Sequence, residues 1–176
     1  KNINQSIDDS LAEYKRVCDR ATAARIVVRG YLSTAFGCPY EGAIDVDHVV
    51  RRTSQLLDIG VFEVAVSDTI GVAHPGQVVS VLDRLTAEVA VEHLALHVHD
   101  TFGTALANVV AGLLCGGRTF DASSGGLGGG PYAPGAAGNL ATDDLVYMLD
   151  GLGVQTGVSA ARLADATQFM ASRLEH

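Results

Sequence analysis

The sequence predicts an α/β protein built from parallel βα units. Three observations carry that expectation. Short apolar runs alternate with helical patterns at spacings of roughly 25 to 35 residues, the signature of such units. Polar residues collect at the C-terminal ends of the runs, namely Ser33, Ser67-Asp68, His97 with His99, and Ser123-Ser124, which is where a βα barrel gathers its chemistry. No Gly-x-Gly-x-x-Gly follows the first run and no Gly-Lys-Ser/Thr occurs, so nucleotide-binding members of the class lose support. Four units are legible, whereas a closed barrel takes eight units and about 250 residues.

Each element has its own signal. Ser6-Ile7-Asp8-Asp9 reads as a helix cap with an acidic residue three positions on. Leu11, Tyr14, Val17 and Cys18 continue the apolar stripe. Ile26-Val27-Val28 starts a strand running to about Ser33, followed by the loop Phe36-Gly37-Cys38-Pro39-Tyr40-Glu41-Gly42. A helix is expected from about Asp47 to Ile59, with Gly60 as its stop. Val61 to Ser67 is the second strand. His74-Pro75-Gly76 opens a helix reaching about Val89, with Pro75 in the tolerated first turn. Leu94 to His99 is a strand, Thr104 to Leu114 a helix, and Thr119 to Ser123 the fourth strand. A glycine-rich loop then runs to Asn139; Thr142-Asp143-Asp144 caps one further helix and Ser159 another.

Composition narrows the function. The 176 residues, 48% of them apolar, can build a substantial core. A net charge of -8 argues against a nucleic-acid partner. No signal peptide and no membrane-spanning run are evident, so no membrane partner is expected. Cys18, Cys38 and Cys115 are odd in number and lack metal-like spacing, which favours a reduced, intracellular protein.

His97-Val98-His99-Asp100 is the most informative stretch. Residues two apart on a strand share a face, so both imidazoles would leave one strand end together, close enough to share a metal ion. Neutral imidazole suits Zn, Fe, Mn or Co, and oxygen co-ligands shift the balance towards harder ions. The bland reading is one core and one exposed histidine. Asp100 could orient an imidazole or cap the next helix. Asp68 could cap the turn after its strand or act as an acid/base carboxylate. The loop from Gly125 to Gly138 holds seven glycines, suiting a flexible connection, a mobile lid or close backbone approach to a ligand. Asn139 could offer an amide oxygen to a metal or simply end a turn. Cys38 reads as a turn residue, since no cationic partner is evident for a nucleophile.

Beyond these local signals, the chain resembles the C-terminal half of the 3-hydroxy-3-methylglutaryl-CoA lyases, which belong to the metal-dependent barrel lyases. The matching stretches are Arg29-Gly30-Tyr31, Gly37 to Gly42, Asp68-Thr69-Ile70-Gly71, His97-Val98-His99-Asp100-Thr101, Gly126-Leu127-Gly128-Gly129, and Gly138-Asn139-Leu140-Ala141-Thr142 with Asp144 to Leu149. The resemblance implies a (β/α)8 TIM barrel of which residues 1–176 supply strands 5–8, the N-terminal half lying outside this chain. It assigns His97, His99 and Asn139 to a divalent metal, Mg2+ or Mn2+. It assigns proton transfer to His97 and a catalytic carboxylate to Asp68, with Asn2 and Tyr31 at the substrate. The implied partner is an acyl-CoA thioester, cleaved to acetyl-CoA and acetoacetate, in the cytoplasm or, in a eukaryote, the mitochondrial matrix.

Two features depart from the family pattern. Gly130 stands where the family's loop carries a catalytic cysteine, and the family's Arg-Asp strand lies outside this chain. A related barrel lyase or aldolase acting on another hydroxyacyl-CoA or 2-oxo acid is the alternative activity. A non-catalytic half-barrel whose open edges make it a homo-oligomer is the alternative class.

Overall fold

In the computed structural model, residues 4–129 and 138–174 are described. The first two strands and helices follow the expected order: α1 (Ile7–Ala23), β1 (Arg29–Leu32), α2 (Val46–Asp58) and β2 (Glu63–Asp68). They are followed by α3 (Pro75–Thr86), β3 (Leu94–Val98), α4 (Ala105–Leu114), β4 (Phe120–Asp121), α5 (Thr142–Gly151) and α6 (Ala160–Ala171). The strands form one parallel sheet in the order β1-β2-β3-β4. Each crossover between neighbours contains a helix, as parallel pairing requires.

Register and strand alternation divide the sheet into two unlike faces. Val64 pairs with Leu94, and Val66 with Leu96. Val66, Leu94, Leu96 and Val98 are buried and join Val49, Val78, Val81, Leu85, Val109, Leu145 and Leu149 of α2 to α5 in the main core. Full burial of an aliphatic side chain of this kind contributes about 1.5–3 kcal/mol before entropy is counted. A smaller cluster of Cys18, Leu56, Val61 and Val64 seats α1. The opposite face carries Arg29 paired with Glu63, and Ser67, His97 and Asp121 in one row. Among the described residues, the helices that enter the main core pack on the other face.

The element ends differ from the sequence expectation for local reasons. Strand β1 begins at Arg29 rather than Ile26 because Arg25 is left-handed, with φ 58°, and the Ile26 N–H turns back to the Ala21 carbonyl at 2.8 Å; Val27 is 76% exposed. Strand β4 is only two residues long. Beyond it, the segment 138–141 takes over the pairing: Leu140 donates to the Val98 carbonyl at 3.2 Å, and Ser123 donates to the Leu140 carbonyl at 2.9 Å. The expected cap at Thr142-Asp143-Asp144 is not one. Ala141 is the N-cap of α5 and makes no side-chain bond there. The caps expected at Ser6 and Ser159 are present, accepting from the N–H groups of Asp9 and Arg162. His74 also caps, its Nδ1 accepting from Gln77 N at 3.3 Å.

Candidate functional site

The candidate site lies at the C-terminal ends of β2, β3 and β4. Strand alternation puts His97 and His99 on one face, and their ring centroids are 5.3 Å apart with planes tilted by 56°. Asn139 forms an antiparallel bridge with His99, so its side chain shares that face. The Asn139 amide nitrogen donates to the Leu127 carbonyl at 2.9 Å, which leaves the amide oxygen as the end available to a cation. The close approach of the two loop stems explains two glycines here. A Cβ on Gly128, whose φ is +100°, would meet the Asn139 amide at 2.7 Å, and one on Gly138 would overlap the Gly126 carbonyl.

Behind His97 lies a charged network that sequence reasoning missed. His97 Nδ1 is 3.1 Å from Asp121 Oδ2. Arg29 Nη1 donates to Asp121 Oδ1 at 2.7 Å and to the Tyr31 hydroxyl at 2.8 Å, and Arg29 Nε donates to Glu63 Oε1 at 2.5 Å. Burial opposes ionisation of Asp121, but the bonds from His97 and Arg29 outweigh it and hold the carboxyl below its ordinary pKa. Tyr31 stands edge-on to His97, with ring centroids 6.0 Å apart. Burial raises the Tyr31 pKa, with Asp121 adding to the effect. The available signal was the placement of charged residues inside strands, two positions from Tyr31 and from Ser123.

Asp68 and Asp100 both serve backbone turns. The Asp68 carboxylate accepts from Val72 N and Ala73 N, each at 3.0 Å. It is fully buried, and its register partner is Val98, on the helix-covered face. Burial pushes its pKa up, against the pull of those N–H groups and of His99. Asp100 Oδ1 accepts from Ala105 N at 2.9 Å, so it caps α4. Cys38 closes its loop through paired backbone bonds with Gly42, a turn role. Asn2 and Gly130 lie outside the described residues.

Among the described residues, no three His, Cys, Asp or Glu side chains form a ready metal cluster. A metal here would therefore rest on His97, His99 and the oxygen of Asn139. Two imidazoles and one amide oxygen are neutral donors, and they leave coordination positions open to substrate oxygens. That set fits a first-row divalent ion, with Mn2+ more at ease with imidazole than Mg2+.

A family model described as HMGL-like matches residues 1–170. The chain belongs to the HMGL-like family. This HMGL-like chain is 49% identical to the mitochondrial hydroxymethylglutaryl-CoA lyase of Bos taurus over 99% of its own length and 54% of the relative's. It superposes on the crystal structure of the Bacillus subtilis HMG-CoA lyase with a TM-score of 0.94 and 46% identity, covering 98% of this chain and 58% of that one. An HMG-CoA lyase from Acinetobacter baumannii, solved with coenzyme A and 3-methylmalate, is 34% identical with a TM-score of 0.90, covering 97% of this chain and 56% of that one. The chain thus spans little more than half the length of the relatives it matches. No described helix is long and apolar enough to cross a membrane.

Proposed function

We propose that these residues form the metal-holding half of a barrel lyase that cleaves 3-hydroxy-3-methylglutaryl-CoA to acetyl-CoA and acetoacetate. The observation that carries the reading is the convergence of His97, His99 and Asn139 on the polar face of the sheet, in a chain whose relatives are named for that reaction. The four strands correspond on this reading to strands 5–8 of a (β/α)8 barrel. Four further strands complete it, from another segment of polypeptide or from a second copy. The compartment on this reading is the cytoplasm or, in a eukaryote, the mitochondrial matrix; the Bos taurus relative is named as mitochondrial.

His97, His99 and Asn139 would hold Mn2+ or Mg2+. A bound divalent ion supplies Lewis acidity, which lowers the pKa of the substrate's 3-hydroxyl and draws its carboxylate oxygens into place. The reaction itself balances simply. A base takes the hydroxyl proton, C3 becomes the ketone of acetoacetate, and the C2–C3 electron pair leaves as the acetyl-CoA enolate, which then takes up a proton. His97 has one nitrogen, Nε2, left for work, because Nδ1 is engaged by Asp121. Metal binding and proton transfer therefore compete for the same atom. Asp68 is the carboxylate that the resemblance assigns to the reaction, and each of its oxygens keeps a lone pair beyond the turn bond. Tyr31, half-exposed beside His97, presents its ring to the acyl group, and Asn2 belongs to the thioester's path.

Gly130 has no side chain with which to move a proton, so the cleavage should be slow. The test is a chimera joining residues 1–176 to the N-terminal half of the Bacillus subtilis relative, assayed for acetoacetate release with Mn2+ added. Release that needs the metal is expected, and His97→Ala should reduce it about 10²-fold or more. Gly130→Cys should raise turnover more than it alters KM. A folded, metal-loaded chimera that releases no acetoacetate, with or without the cysteine, would overturn the reading.

A further inference from the structure

We propose that Asp121 is a positioning residue for His97: with Arg29 behind it, it holds the imidazole as the Nδ1–H tautomer and so points an unprotonated Nε2 at the metal position. The inference rests on the reading that His97 is a metal ligand, and it assigns a new role to two side chains on β1 and β4.

The geometry leaves little freedom. Asp121 accepts on both oxygens: Oδ1 takes the Arg29 Nη1 hydrogen at 2.7 Å, and Oδ2 faces His97 Nδ1 at 3.1 Å. An ionised carboxylate can only accept hydrogen bonds, so the proton between Asp121 and His97 must sit on Nδ1. Neutral imidazole free in water favours the opposite, Nε2–H form. The bond to Asp121 thus works against the intrinsic preference and frees Nε2 for a cation. Arg29 keeps the arrangement in place. Its Nε is anchored on Glu63 at 2.5 Å, Glu63 is itself buried, and guanidinium cannot serve as an acceptor. The carboxylate therefore cannot rotate its duties without leaving an arginine hydrogen unpaired. Carboxylates that orient metal-binding imidazoles commonly alter metal affinity by about 10–100-fold when removed.

The structure also supplies the variant that separates orientation from packing. In Asp121→Asn the side chain keeps its size, but only one oxygen remains. Arg29 can donate only to that oxygen, so the amide NH2 turns towards His97 Nδ1. His97 must then accept on Nδ1 and carry its proton on Nε2.

The experiment uses the full 176-residue chain labelled with 15N on histidine, in two-bond 1H–15N spectra at mildly alkaline pH without metal. The chain with Asp121 should show His97 as Nδ1–H, and Asp121→Asn should show it as Nε2–H, with backbone amide spectra otherwise superimposable. Mn2+ affinity, read from the free-ion electron paramagnetic resonance signal, should fall by about 10–100-fold in the variant. Asp121→Glu provides the rescue arm: its carboxylate accepts on both oxygens and should return His97 to Nδ1–H. An Nε2–H His97 in the unsubstituted chain, or an Nδ1–H His97 that persists in Asp121→Asn, would overturn the proposal. If the tautomer switches as expected while Mn2+ binds neither form, the positioning role stands and the metal-site reading fails. If Asp121→Asn does not fold, the tautomer of the unsubstituted chain decides the matter alone.

Discussion

At Asp68 the residue's two jobs pull against each other. A carboxylate that accepts two backbone N–H groups gains from being ionised, yet this one is fully buried, and burial prevails in raising its pKa. The turn it organises is also tight. Gly71, at φ +68°, sits so close to Thr101 that a Cβ there would overlap its hydroxyl, and Thr101 Oγ1 donates to the Ile70 carbonyl at 2.9 Å. Asp68→Ala should therefore leave two N–H groups without an acceptor. The expected cost is about 1–3 kcal/mol per orphaned group, seen as a lower urea midpoint at unchanged m. An unchanged midpoint would mean the turn is held by Gly71 and Thr101 alone. At this scale the sequence displayed what is local: a His-x-His pair two residues apart, and an aspartate at a strand end. Asp121 stayed hidden because its meaning depends on register. It acquires a partner only when β4 pairs with β3 and puts it beside His97, and Arg29 reaches it from a strand 92 residues earlier.

Among the elements, the end of β4 and the start of α5 show how tertiary contacts redirect a residue with a plain local reading. Asp143 looks like a helix cap in sequence. In the structure its carboxylate instead accepts from Gly125 N at 3.0 Å and from the Thr167 hydroxyl at 3.0 Å, and Thr167 also contacts Ser124 Oγ at 2.7 Å. One carboxylate thus ties α5, α6 and the stem of the glycine-rich loop together. The Gly125 N–H lowers the Asp143 pKa, with Thr167 helping. A lowered value in the folded state means the unfolded chain binds the proton more readily, so stability rises with pH across that interval. The contribution is present above the ordinary aspartate pKa of 3.8 and is lost as pH falls through the lower folded value. The melting temperature of Asp143→Asn should lie below that of the unsubstituted chain near neutrality, and the gap should close on acidification. A gap constant with pH would show that charge plays no part. The central portions of the helices and the parallel order were legible because periodicity of apolar residues is a property of the segment itself. Strand ends were less so: 26–28 is apolar enough for a strand, but the Ile26 N–H turns back to the Ala21 carbonyl and only the Val28 carbonyl reaches the neighbouring segment, at Phe62 N, while 138–141, at the end of the glycine-rich loop, looks like a turn yet fills a gap in the sheet.

Considered whole, the molecule is a sheet with helices on one face and charged side chains on the other. Strands β1 and β4 are its edges among the described residues, and an edge offers unpaired backbone groups to any strand that can reach it. The polar face also holds half-exposed Tyr31 and a largely buried ion network, an arrangement suited to the lumen of a closed barrel. Light scattering should accordingly give a mass above the 18.3 kDa of one chain. A monodisperse species at that mass would contradict the view that these edges seek partners. The central claim, however, concerns the metal, and it reduces to one titration. Calorimetry of the full chain with Mn2+ should show a single weak site, weak because the proposed site takes only His97, His99 and Asn139 from these residues, and His99→Ala should abolish it. Tight Mn2+ binding that survives His99→Ala unchanged would contradict the account, because the ion would then be held somewhere other than between His97, His99 and Asn139.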